Sequence, residues 1–436
     1  MKRKYMHPVC TNHLSRRSFL TAAALALSKT IRPQNAAAEQ PNPNIVVILA
    51  DDLGYGDLGC YGRPGAPTPH IDRLAGQGVR LTNAYVPAPT GAPARASLIT
   101  GCYPQRQPNL EETLDPRDPD AGLPAGQITL PSMLRDAGYA TALVGKWGLG
   151  QAREFSPNRH GWDEFFGFLG QNIDPVRHTS RLGVHDLYEN EIPLQLEGHI
   201  NELIAARSAG LIERRAAQSF FLLASFAAPY SENPTELTRK TVVRSIEQVD
   251  RGVGRILESL QKKDLLQNTL IVFMSDNGGG LCSRNDPLRG YKESLWEGGL
   301  RTPCIFSWPG VLPAGRISHQ AVITMDVVAT LLAAVKIKPT RRIDGINVLS
   351  YLAGLRPDVE QTFVWRSLPR DQRAVRWGVW KWLKIHDEEY LFHLDRDPAE
   401  SVNRIDRNID ILHWLREIYS QWEDAAPASS QKTGAH

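Results

Sequence analysis

The sequence predicts an α/β fold: a large, mostly parallel mixed sheet sandwiched by helices, with a small C-terminal antiparallel sheet carrying one helix. Three observations lead there. Four apolar runs each end in a polar cluster, an amphipathic helix separates two of them, and short strands gather only near the C-terminus. Asn44–Ala50 comes first, a continuous β-branched run suited to burial on both faces, and it leads into Asp51-Asp52-Leu53-Gly54. Residues 139–144 lead into Gly145-Lys146-Trp147-Gly148, and 219–226 reach Ala228-Pro229-Tyr230. Between that run and the next, Val242, Ile246, Val249, Val253, Ile256 and Leu260 share one helical face. Residues 269–274 then enter Ser275-Asp276-Asn277-Gly278. Alternating strands and helices imply a parallel sheet covered on both faces. Residues 326–332 read as a helix, and 341–361 as the boundary of a second unit. Beyond it, 363–365, 373–383 and 389–394 read as short antiparallel strands, and 409–422 as a helix packed on them. Six of the ten Trp lie from Trp365 onward and are expected in that unit's core.

The N-terminus reads as an address. Lys2-Arg3-Lys4, then Ser15-Arg16-Arg17-Ser18-Phe19-Leu20, a short apolar run and Ala36-Ala37-Ala38 make a twin-arginine signal over residues 1–40. The expected partner is the Tat export machinery, and the expected location is periplasmic or extracellular, with no membrane span in the mature form. The expected units are 41–345 and 360–424, then a disordered tail at 425–436. With 436 residues, 42% hydrophobic, 22% charged and a net charge of +3, the chain offers no basic stripe for nucleic acid. Cys10 is lost with the leader; Cys60, Cys102, Cys282 and Cys304 remain, and their pairing is open.

In open α/β sheets, ligands bind at the carboxyl ends of the strands. Those ends carry Asp51, Asp52, Lys146, Asp276 and Asn277. Three carboxylates and an amide are oxygen donors suited to one hard divalent cation, Ca²⁺ or Mg²⁺. Buried together they would repel unless a cation, Lys or Arg neutralised them.

The segments resemble the sulfatase family, arylsulfatase-like members of the alkaline phosphatase superfamily. Asn44 to Asp57 is similar to the family's first strand and metal loop, and Thr68-Pro69-His70-Ile71-Asp72 to its T-P-N-I-D helix. Gly145-Lys146-Trp147-Gly148-Leu149-Gly150 resembles G-K-W-H-L-G, and Leu288-Arg289-Gly290-Tyr291-Lys292 resembles L-R-G-x-K. Glu297-Gly298-Gly299-Leu300-Arg301-Thr302-Pro303 and the segment from Tyr390 to Glu400 continue the match in order. The resemblance implies an alkaline phosphatase-like sheet, sulfate ester hydrolysis, one cation that is most often Ca²⁺, and a formylglycine nucleophile at the start of C/S-x-P-x-R. Here that segment reads Gly91-Ala92-Pro93-Ala94-Arg95, so no formylglycine is expected. The assisting His of G-K-W-H becomes Gly148, and the A-P-H histidine becomes Tyr230.

Groups that hold ions are kept, and groups that make the covalent intermediate are gone. The expectation is a cation site of Asp51, Asp52, Asp276 and Asn277, with Arg95, Lys146, Lys292 and Tyr230 facing a sulfated saccharide or another anionic small molecule. Little or no turnover should follow. The alternative is an active sulfuric ester, phosphate or phosphonate hydrolase using Thr90 or a metal-bound water. His178, His185 or His199, in the poorly matching stretch 171–208, could also reach the pocket.

Overall fold

The computed structural model describes residues 42–107, 109–115, 117–118, 120–229 and 237–425. The leader, Tyr230 and residues 426–436 lie outside the described residues. Sixteen strands form among those described. The main sheet holds β1 (Asn44–Ala50), β2 (Val79–Leu81), β4 (Ala140–Lys146), β5 (Glu164–Phe168), β6 (Tyr188–Glu189) and β7 (Ile192–Pro193). It continues with β8 (Phe220–Ser225), β9 (Thr269–Ser275), β10 (Cys304–Ser307) and β11 (Arg316–Ser318), while β3 (Ala84–Tyr85) pairs with β12 (Val322–Ile323). The ten-strand order is 11-2-10-9-1-8-4-5-6-7.

The centre, β9-β1-β8-β4, is parallel, and Ile48 of β1 lies between Ala224 and Phe273. Every residue of these four strands is buried, as their uninterrupted apolar sequences predict. Alternation sorts the faces: Ile45, Val47 and Leu49 pack with the Gly91–Thr100 and Thr324–Ala334 helices. Val46, Ile48 and Ala50 face the Ile200–Arg214 and Arg239–Lys262 helices. Because the strands run together, Ala50, Lys146, Ser225 and Ser275 end at one edge, which positions the site.

The second sheet is antiparallel: β13 (Thr362–Ser367), β14 (Gln372–Trp377), β15 (Trp380–Ile385) and β16 (Glu388–His393). The 373–383 stretch is a hairpin turning at Gly378, whose φ of 54° suits glycine. One face of this sheet packs under the Ile409–Ala425 helix. The other joins Tyr85, Leu295, Leu300 and Met325 of the main body through Trp365, Leu383 and Phe392. Trp365 and Trp382 are buried, and Trp377 and Trp380 of the sheet join Trp422 of the helix in the cluster between them. Trp414 stays 48% exposed. Cys60, Cys102, Cys282 and Cys304 are all free thiols.

A buried ion cluster ties the second sheet to the short Glu297–Leu300 helix of the main body. Lys381 of β15 lies 3.0 Å from Glu297 and 2.8 Å from Glu400, all three side chains fully inaccessible. The Glu297 amide donates to Glu400 Oε2 at 2.7 Å, and the Tyr85 hydroxyl donates to Glu297 Oε2 at 2.6 Å. Removing one partner of such a cluster strands buried charge and costs about 3–5 kcal/mol. Lys381→Met is therefore expected to lose stability of that order in urea unfolding; a loss under about 1 kcal/mol would contradict the charge argument. Burial pushes Glu400 up to about 7, with Glu297's charge adding to it against the pull of Lys381. A carboxyl raised above its unfolded value stabilises the fold at low pH, and that contribution fades as pH rises from about 4.5 through 7. Glu400→Gln should flatten that slope.

Candidate cation and anion site

The chain turns sharply as β1 ends. Asp52 sits at φ 58°, in the left-handed region, and its amide donates to Asp276 Oδ1 at 3.3 Å. Ser275, the last residue of β9, holds the two loops in register. Its hydroxyl accepts from the Leu53 amide at 3.1 Å and lies 2.9 Å from the Asn277 carbonyl. Asn277 Nδ2 donates to Asp52 Oδ1 at 2.8 Å. Asp51, Asp52 and Asp276 thereby bring one carboxylate oxygen each within 4.8 Å of one another.

Three cations meet these three carboxylates. Lys146, ending β4, donates to Asp51 Oδ2 at 2.6 Å. Arg95 Nε donates to Asp276 Oδ2 at 2.9 Å, while its Nη1 reaches Ser225 Oγ at 2.7 Å and the Lys146 carbonyl at 3.1 Å. Lys292 donates to both Asp52 oxygens, at 2.7 and 2.8 Å. The basic residues do not stand across a pocket from the carboxylates; each is bonded to one. Burial alone would raise Asp51, but Lys146, then Arg95 and Lys292, hold it well below the usual carboxylate range. Asp276 goes the other way, pushed up to about 7 by burial and by the charge of Asp51.

The donor set fits a hard cation. Asp51 Oδ1 and Asn277 Oδ1 are buried acceptors without a hydrogen-bond partner. Such orphans are rare in folded proteins and point to an ion or water. The candidate ligand atoms of Asp51, Asp52, Asp276 and Asn277 are all oxygens, as Ca²⁺ or Mg²⁺ requires.

Gly91 opens the Gly91–Thr100 helix beside this cluster. A Cβ there would lie 3.1 Å from Asp276 Oδ2 and 3.7 Å from both Asn277 Oδ1 and Lys146 Nζ. A side chain at 91 would therefore point into the site. At Gly148, with φ 74°, a Cβ would stand 3.3 Å from both Arg95 Cδ and Lys146 Cε. Thr90 is the helix N-cap and is buried, yet its side chain makes no capping bond. The three histidines are occupied elsewhere. His178 Nε2 lies 3.0 Å from the Gly198 carbonyl, His185 Nε2 lies 3.1 Å from the Leu194 carbonyl, and His199 Nδ1 accepts from the Asn201 amide.

Sequence reasoning missed Ser225, Ser275 and Gln171. Gln171 Nε2 donates to the Gly148 carbonyl at 2.7 Å, and its Oε1 lies 3.6 Å from where a Gly148 Cβ would be. Only the position of the two serines, at the ends of apolar strands, could have flagged them.

The sulfatase family profile matches residues 43–337. The chain belongs to the sulfatase family. It is 34% identical to N-acetylgalactosamine-6-sulfatase of Homo sapiens, over 84% of this chain and 82% of that one. Arylsulfatase A of Bos taurus is 32% identical, over 85% and 84%. Among solved structures, Ps i-CgsB in complex with k-i-k-neocarrahexaose superposes with a TM-score of 0.82 at 30% identity, covering 89% of this chain and 94% of that one. This sulfatase-family chain thus has the alkaline phosphatase-like sheet that its sequence predicts. No helix among the described residues is long and apolar enough to cross a membrane.

Proposed function

We propose that this protein is an exported, divalent-cation-dependent binder of sulfated saccharides with little or no turnover. The observation that carries the reading is Gly91. A position whose Cβ would face Asp276, Asn277 and Lys146 together, at the start of the helix, has no side chain to become a nucleophile. Gly148, where the family resemblance places an assisting histidine, likewise offers no side chain beside Arg95 and Lys146. The charged residues remain. Asp51, Asp52, Asp276 and Asn277 would hold the cation, most fittingly Ca²⁺, which when bound supplies a fixed positive charge for a sulfate oxygen.

The chain's own groups do the rest. Arg95 and Lys146 are bonded to Asp276 and Asp51, and Lys292 to Asp52. With Asp51 and Asp52 turned to a cation, the two ammoniums are free to donate to a sulfate. The free amides at the start of the Gly91–Thr100 helix favour an anion there. The saccharide class is supported by the names of the relatives and by the carrageenan hexasaccharide in the Ps i-CgsB complex. Export is supported by the twin-arginine motif at Arg16-Arg17.

Calorimetry with monosulfated oligosaccharides tests the reading. Binding is expected only with Ca²⁺ present, and should weaken at least about tenfold in Lys146→Ala and Lys292→Ala with the fold retained. Equal, weak binding by wild type and both variants would mean that the cluster only neutralises its own carboxylates.

A further inference from the structure

The loop that carries Asp51 and Asp52 runs on to Asp57, whose side chain is fully inaccessible. Its carboxylate accepts from the Gly54 amide at 3.1 Å and the Arg284 amide at 3.2 Å. Arg239 Nη1 lies 2.6 Å from it, and Arg63 Nη1 lies 3.8 Å away. One arginine would neutralise one aspartate; here the guanidiniums of Arg239 and Arg63 share it, and the charge of Arg284 acts on Arg63 as well. Arg284 is exposed, and its side chain has no hydrogen bond or ion pair among the described residues. Arg63 Nη1 and Arg239 Nε and Nη2 lack hydrogen-bond partners as well. Burial lowers the pKa of Arg63, and the neighbouring charges of Arg239 and Arg284 lower it further, against the pull of Asp57. Buried guanidinium nitrogens without partners are donors that an anion would satisfy.

The cluster adjoins the cation and anion site through covalent and hydrogen-bonded connections. The Ser283 hydroxyl donates to the Asp52 carbonyl at 3.3 Å, and the Gly56 amide donates to the Arg284 carbonyl at 2.8 Å. Buried Asn285 donates to the carbonyls of Gly279 and Gly290 at 3.0 and 3.2 Å, and the Lys292 amide donates to the same Gly279 carbonyl. Arg284 and Lys292 therefore sit on one stapled loop, with the Lys292 ammonium bonded to Asp52 and the Arg284 main chain bonded to Asp57 and Gly56.

We propose that Arg63, Arg239 and Arg284 form a second anion subsite that takes a second sulfate group of the bound saccharide. This rests on the sulfated-saccharide reading above and adds a preference for ligands carrying two sulfates. Guanidinium forks match the paired oxygens of a sulfate, and charge-assisted hydrogen bonds of this kind are worth more than neutral ones.

The test compares a monosulfated and a disulfated form of one oligosaccharide by calorimetry, with Ca²⁺ present and at fixed salt. Wild type should prefer the disulfated form by about 10- to 100-fold. In Arg63→Gln and Arg284→Gln that preference should fall to within about threefold, with the monosulfated affinity unchanged. Arg239 is left intact because it is the close partner of Asp57, and Arg135→Gln, an exposed site elsewhere, serves as the charge control. Monosulfated binding without a disulfated preference overturns the subsite alone. So does a preference that survives in both variants, or one that falls equally in the control. If neither saccharide binds wild type, the sulfated-saccharide reading fails and the subsite falls with it.

Discussion

Purified protein is expected to hydrolyse aryl sulfates at no more than about a millionth of the rate of a formylglycine-bearing relative. Loss of a nucleophile alone can cost a hydrolase that factor, because positioning and electrostatics leave only a residual rate. Two positions in this site carry no side chain, Gly91 and Gly148, and a Cβ at either would lie within 4 Å of the Lys146 side chain. Gly91→Cys together with a maturing enzyme should restore little. The new Cβ would press to 3.1 Å against Asp276 Oδ2, and the wall at Gly148 would stay empty of any acid or base. Product release from 4-nitrophenyl sulfate measures both. Robust turnover in wild type that disappears in Thr90→Val would overturn the reading and make the N-cap hydroxyl the nucleophile.

Asp51→Ala is expected to abolish Ca²⁺ binding at millimolar concentration, where wild type binds measurably by calorimetry. Asp51 is buried, and it is the one of the three carboxylates whose Oδ1 lacks a partner. Its removal also leaves Lys146 Nζ without its 2.6 Å partner, and Arg95 Nη2 without the carboxylate 3.8 Å away. Uncompensated buried charge of this kind costs about 3–5 kcal/mol, so the variant should unfold at lower urea as well. Asp51→Asn separates the effects by keeping the shape. It should fold better than Asp51→Ala yet still bind Ca²⁺ at least about a hundredfold more weakly, since one charged ligand is gone. Wild-type affinity in either variant would remove Asp51 from the cation site.

The parallel core was legible because burial on both faces leaves no freedom in composition. The run from Asn44 to Ala50 matches β1 residue for residue, and 269–274 falls one residue short of β9. The acidic half of the site was legible for the same reason: aspartates that interrupt such strands stand out. Ser225 and Ser275 did not, since a neutral hydroxyl after an apolar run is ordinary, and only the adjacency of β8 and β9 to β1 gives them work. Gln171 lies in a stretch without periodicity and meets Gly148 through a loop contact. The closing of Lys146 and Lys292 onto Asp51 and Asp52 was hidden as well, because like and unlike charges 95 and 240 residues apart carry no local signal. The histidines of 171–208 show the converse. Their side-chain chemistry suggested the pocket, and backbone groups of that same stretch take up their ring nitrogens.

The tie between Glu400 and the Glu297 amide also orders events during synthesis. The segment bearing Lys292 runs directly into Glu297, which cannot be held until a residue more than one hundred positions later has left the ribosome. β1 must likewise wait for β9, 225 residues downstream at the Ala50–Ser275 pairing, before its edge is covered. Pairing over such separations is slow to nucleate. Ribosome-bound chains released before residue 400 should therefore hold the Asp51 end of the site and lack the Lys292 end, and the whole assembles only once translation is nearly complete.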